Sequence, residues 1–116
     1  MKDSFVADRL PPDTLWPQMS YREPASLRYP DALNVVHEIV DVWLSRQPER
    51  PALIFRDLTL SYRELAALSN QIARVLVEDH GVRPGSRVLL RSANHPWLVA
   101  ALLAIWRVGA IAVPTM

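Results

Sequence analysis

The chain has 116 residues, 50% of them hydrophobic and 22% charged, and no cysteine; 13 basic residues against 12 acidic ones leave a net charge of +1. This length and composition suit one small globular domain, not a disordered chain. Twelve arginines scattered singly from Arg9 to Arg107, with Lys2 the single lysine, give no basic cluster to follow a nucleic acid backbone, and the missing cysteines exclude disulfides, thiolate metal sites and cysteine nucleophiles.

The opening Met1–Phe5 places Asp3 where a signal peptide would begin its apolar core, so a cytoplasmic setting is expected. Residues 1–33 hold five prolines (Pro11, Pro12, Pro17, Pro24 and Pro30) and show no helical or strand period. Proline removes amide donors and fixes φ, so this arm is expected to be extended or looped, with Trp16, Tyr21, Leu27 and Tyr29 as anchors.

Residues 34–116 form the predicted α/β part. Asn34 is a candidate helix cap, and Val36, Ile39, Val40, Trp43 and Leu44 follow at the spacing of one helical face. The helix should end near Gln47, because Pro48 disfavours the α conformation in the residue before it. Ala52–Phe55 and Leu58–Leu60 flank Arg56-Asp57 and read as a hairpin, although the turn lacks the glycine that such loops favour. Ser61 with Glu64 makes a capping box, and Leu65, Leu68, Ile72, Val75 and Leu76 trace an amphipathic helix to about Asp79, closed by Gly81.

Arg83-Pro84-Gly85-Ser86 reads as a type II turn, since proline presets the second position and glycine takes the positive φ of the third. A strand Arg87–Arg91 should follow, then a helix capped by Asn94 with Pro96 in its first turn and an apolar block Trp97–Trp106, then a second strand over Val108–Pro114. Two short strands joined by a helix predict a right-handed βαβ crossover. The apolar block wraps its helix completely. If half of its side chains stayed exposed, the lost burial would be on the order of 7–15 kcal/mol, comparable to the stability of a whole domain. It is also too short to span a membrane, which takes about 20 residues. The expectation is a chain whose last helix and strand are covered either by a longer polypeptide or by a tightly bound partner.

Sites are sparse. Gly81, Gly85 and Gly109 are too far apart for a Walker loop or dinucleotide fingerprint, and Lys2 is poorly placed for phosphate or Schiff-base chemistry. His37 and Asp41 stand at i, i+4, but with no further ligand they read as a solvated helix face. Asn94 and His95 lie just past the C-terminal end of a predicted parallel strand, where open α/β folds place ligands; helix capping is the plainer reading. Ser92 lies in the same loop.

The order and spacing of Arg50–Phe55, Leu58–Leu65, Gly81–Val88 and Asn94–Trp97 leading into Ala101–Ala110 resemble the opening of the AMP-forming adenylating enzymes, which include acyl- and aryl-CoA ligases, luciferases and peptide-synthetase adenylation domains. Asp8–Pro12 with Trp16-Pro17, Tyr29-Pro30 before Leu33-Asn34, Ile72–Asp79, Arg87–Arg91 and the ending Pro114-Thr115-Met116 resemble the benzoate and 2-aminobenzoate CoA ligase branch.

The resemblance implies an incomplete N-terminal part of the large domain, with a β-hairpin, a βαβ unit and helices packing on a mostly parallel sheet. It implies a parent that converts a carboxylic acid, Mg-ATP and CoA to acyl-CoA, AMP and pyrophosphate. The family's phosphate loop, acyl pocket and catalytic lysine have no counterpart here, so no catalytic, cofactor-binding or metal residue is carried over, and none of ATP, Mg or CoA is expected to bind these residues. The expected partner is the remainder of the ligase fold, from the same parent chain or a split-gene product. The alternatives are a non-catalytic α/β module that binds a partner through its apolar C-terminal helix and strand, and membrane-surface attachment through Trp97–Trp106.

Overall fold

The computed structural model describes residues 7–18, 20, 29–30 and 32–115. They divide into two units, residues 1–33 and 34–116. In the first, two 3₁₀ turns, Ala7–Arg9 and Asp13–Leu15, punctuate the proline-rich run. Trp16 is half exposed, with its indole N–H donating to the Pro11 carbonyl at 2.8 Å, and Tyr29 is exposed. Trp16 is thus tied within the arm. Tyr21 and Leu27, the other expected anchors, lie outside the described residues.

The second unit is α/β. Its first helix covers residues 35–46 and is a π-helical turn, His37–Asp41, running into α1 (Val42–Arg46). Asn34 caps it as expected, its Oδ1 accepting from Val36 N at 3.1 Å. The helix stops at Gln47, where φ is −145° and ψ 67°. β1 (Pro51–Phe55) and β2 (Leu58–Ser61) form the predicted hairpin, antiparallel, with Phe55 opposite Leu58. Arg56 takes the left-handed φ of 52° for which glycine is usually chosen, with its guanidinium over the Phe55 ring at 5.3 Å.

α2 (Tyr62–Glu78) starts on the predicted capping box. The Ser61 backbone N–H and hydroxyl both donate to Glu64 Oε2 at 2.8 Å, and Glu64 N donates back to Ser61 Oγ at 3.2 Å. Beyond the helix, Gly81 at φ 63° lets its own N–H reach the Val77 carbonyl and that of Val82 reach Leu76. The Pro84-Gly85 turn also forms as read, with Gly85 at φ 84° and Ser86 N bonded to the Arg83 carbonyl at 2.9 Å.

β3 (Arg87–Arg91) and β4 (Ile111–Thr115) are parallel neighbours joined by α3 (Pro96–Arg107), which confirms the βαβ unit. β4 begins three residues later than the expected strand because Val108–Ala110 finish the helix. Val108 N bonds the Ala104 carbonyl, Gly109 sits at φ 72°, and Ala110 N reaches the Ile105 carbonyl. A side chain at Gly109 would also meet Pro84 Cβ at 3.3 Å, a tight contact that adds to the strain of a positive φ and favours glycine there. The described strands make two pairs, one antiparallel and one parallel, as small sheets of the expected α/β fragment.

The core lies where the first helix, α2 and α3 meet, built on Val36, Val40, Leu65, Ala66, Ala100 and Leu103. Alanines on both α2 and α3 let the two backbones approach closely. Buried Ser69 satisfies its hydroxyl on the Ala66 carbonyl at 3.0 Å. Of the apolar block, Trp97 alone is classed as exposed.

The two hydrogen bonds from Ser61, the backbone one foremost, hold the Glu64 carboxyl below the ordinary glutamate range. Because the folded value is the lower one, the stabilisation is complete above the unfolded glutamate range and is lost as pH falls through the folded value. Ser61→Ala is expected to cost about 0.5–2 kcal/mol near neutral pH, typical of a lost N-cap. Denaturant titrations of wild type and Glu64→Gln across acidic pH should show the wild type losing its advantage on acidification.

Candidate functional site

A parallel strand delivers its C-terminal end to a loop, and in this chain that loop is Ser92–His95, between β3 and α3. α3 is capped there by His95, not by Asn94: the His95 Nδ1 accepts from Trp97 N at 3.2 Å. That bond requires Nδ1 to carry no proton, which places the neutral ring's hydrogen on Nε2. The His95 ring also meets Phe55 edge-on, with centroids 5.4 Å apart. His95 is therefore engaged by the helix start on one side and the hairpin on the other.

Two hollows meet at this loop. An open one of about 640 Å³ is bounded by Arg91, Ser92, Ala93 and Asn94. A smaller groove of about 190 Å³ runs between β1 and the start of α3, with Ile54, Phe55, Leu98 and Val99 as apolar walls and Asn94 and His95 as polar members. Asn94 borders both. The smaller groove is below the several hundred cubic ångströms of a typical ligand cavity. Ser92 Oγ donates to the Ala93 carbonyl at 3.0 Å, a local turn contact that does not engage His95. The loop thus lacks the nucleophile–base geometry of covalent catalysis.

The remaining sequence candidates are structural too. His37 Nδ1 stands 3.8 Å from Asp41 Oδ2, but Asp41 is not a solvated carboxylate. It takes Arg107 in a two-pronged ion pair, Nη2 to Oδ1 at 2.7 Å and Nη1 to Oδ2 at 3.0 Å, with both side chains about a quarter exposed. Asn34 reinforces the joint: its Nδ2 donates to the Trp106 and Arg107 carbonyls at 3.3 and 3.1 Å, in the last turn of α3. π turns often mark functional sites, and here the turn His37–Asp41 carries the carboxylate that clasps Arg107. A hint lay in Arg107, a cation at the end of an all-apolar helix that needs a partner when drawn into the fold.

Each of Gly81, Gly85 and Gly109 stands at a helix end or turn, and among the described residues no group of three or more His, Asp or Glu side chains could hold a metal ion. No described helix is long and apolar enough to cross a membrane.

Residues 40–116 match the family described as AMP-binding enzyme. Over 75 residues the chain is 39% identical to nonribosomal peptide synthetase 30 of Fusarium vanettenii, a match covering 65% of this chain and 1% of that protein. The solved N-terminal subdomain of NpsA from Klebsiella oxytoca, in complex with 3-hydroxybenzoyl-AMSN, is 35% identical with a TM-score of 0.64 over 69% of this chain and 20% of its own. The anthranilate CoA ligase AuaEII in complex with anthranoyl-AMP is 28% identical with a TM-score of 0.67, over 72% and 16%. The chain spans a fifth or less of these two solved chains and about a hundredth of the peptide synthetase.

The Asp41–Arg107 joint generates a direct test. Asp41→Asn and Arg107→Met are each expected to cost about 1–3 kcal/mol, the range for hydrogen bonds to charged groups. A double-mutant cycle read by denaturant unfolding should return a coupling well above the few tenths of a kcal/mol typical of an exposed pair.

Proposed function

This chain belongs to the AMP-binding enzyme family, and we propose that residues 34–116 act as the N-terminal scaffold of an AMP-forming acyl- or aryl-CoA ligase, with residues 1–33 as its leading arm. The parent reaction has two stages. A carboxylate oxygen attacks the α-phosphorus of ATP and expels pyrophosphate; the thiol of CoA then attacks the acyl carbon and expels AMP. The substrate class is an aryl carboxylic acid of the benzoate or 2-aminobenzoate type. AuaEII, an anthranilate CoA ligase, supports that reading from the side of structure, and the motifs Asp8–Pro12 and Ile72–Asp79 support it from the side of sequence. Peptide-synthetase relatives share the first stage, so adenylation is the common ground.

What carries the scaffold reading is the use to which each polar group is put. Ser61, Glu64, Asn34, His95, Asp41 and Arg107 all cap a helix or join two, and among the described residues no group of three or more His, Asp or Glu side chains could hold a metal ion. In this reading ATP, Mg²⁺ and CoA are held by other parts of the parent fold. The chain supplies packed helices and a strand end against which a site is assembled.

Carboxylate-dependent exchange of pyrophosphate into ATP tests this reading, with circular dichroism on the same samples. The isolated chain, helical by dichroism, should show no exchange with benzoate or 2-aminobenzoate. A chimera in which residues 34–116 replace the matching segment of AuaEII should retain exchange with 2-aminobenzoate. Exchange by the isolated chain, or a folded chimera without activity, would contradict the scaffold role.

A further inference from the structure

The first helix changes hydrogen-bond register part-way along. The Val42 N–H donates to the His37 carbonyl, five residues back, whereas the Gln47 N–H donates to the Trp43 carbonyl, four residues back. The turn His37–Asp41 therefore holds one residue more than an α turn needs. Its apolar residues suit the other register. At about 100° per residue in an unbroken α-helix, Val36, Ile39, Val40, Trp43 and Leu44 share a stripe about 140° wide, and Asp41 stands about 130° from its middle. In the structure Val36 and Val40 are buried, but Ile39 is 45% exposed, and Asp41 turns in to take Arg107.

Two tethers bracket the turn, and both end on the last turn of α3. Before the turn, Asn34 Nδ2 holds the Trp106 and Arg107 carbonyls; at its last residue, Asp41 holds the Arg107 guanidinium with both oxygens. Arg107 Nε is buried without a hydrogen-bond partner among the described residues, so Asp41 is what keeps the guanidinium in place. An α register would carry Asp41 off this site while returning Ile39 to the stripe. Packed elements choose between such discrete arrangements and do not deform gradually.

We propose that Arg107 is a latch that selects between two registers of the first helix. In the latched register the π turn is formed, Asp41 is clasped and Ile39 is exposed. In the unlatched register the helix is α throughout, Ile39 joins Val36 and Val40 on the buried stripe, and Asp41 faces solvent. The exposure of Ile39 thus depends on an ion pair made 66 residues further along the chain. The latch holds whatever reaction the parent carries out.

NMR on the full chain reads the register directly, because scalar coupling across a hydrogen bond identifies the carbonyl that each amide uses. The wild type should couple Val42 N to the His37 carbonyl, with the Ile39 methyl groups open to a soluble paramagnetic probe. Arg107→Met should move the coupling to the Glu38 carbonyl and cut the probe's effect on Ile39 at least threefold, leaving exposed Val75 on α2 unchanged. Arg107→Lys keeps the charge but cannot grip both carboxylate oxygens, and should give an intermediate effect on Ile39. Where Arg107→Met does not fold, Arg107→Lys decides. A folded variant that keeps the His37 coupling and wild-type exposure of Ile39 would overturn the latch and leave the π turn fixed by packing alone. Coupling of Val42 to Glu38 in the wild type would also overturn it.

Discussion

An apolar helix with no polar side must be enclosed, and that constraint shapes residues 34–116. α3 draws α2 against it through alanines and leucines, with Ala100 and Ala104 fully buried and Leu103 and Ile105 nearly so. Each large apolar side chain so buried is worth roughly 1.5–3 kcal/mol. The polar groups at its ends then need partners, and several are met locally or by a distant residue. His95 takes an N-terminal amide, Asn34 takes two C-terminal carbonyls, and Asp41 takes the guanidinium of Arg107. These contacts bring the first helix, 66 residues from Arg107 at Asp41, to the end of α3.

The same enclosure accounts for where several polar side chains are used. Polar side chains that could have formed a site are committed to helix ends, and the loop at the C-terminal end of β3 is held by the His95 cap and the Phe55 ring. An adenylating enzyme gains from such rigidity, since groups that bind a substrate work only when the elements beneath them are fixed. On the scaffold reading, the two small strand pairs and the helices of the described residues are a foundation of that sort.

Much of this was legible in the residues. The hairpin, the capping box, the Pro84-Gly85 turn, β3 and the apolar helix follow from local rules of spacing and turn chemistry, and the family resemblance follows from their order. Less legible were features that depend on atoms far apart in sequence. Asn94 and His95 are both chemically able to cap a helix, and only the backbone path of the loop selects His95. Asn34 reads as a cap for its own helix, while its Nδ2 contacts with α3 need the third dimension. Asp41 looks like a surface carboxylate until the π turn sets it against Arg107. The late start of β4 has a local cause that glycine disguised: Gly109 is as compatible with a strand as with a helix end, and the Ala110 bond to Ile105 decides for the helix.

Native-state hydrogen exchange at individual amides tests the central claim most directly. If burial of α3 organises the unit, amides from Leu103 to Arg107 and those of α2 from Ser69 to Ala73 should be the slowest to exchange and should share one opening free energy, while residues 7–18 exchange freely. Exchange of the α3 amides as fast as that of the proline-rich arm, with the hairpin retaining protection, would contradict the account.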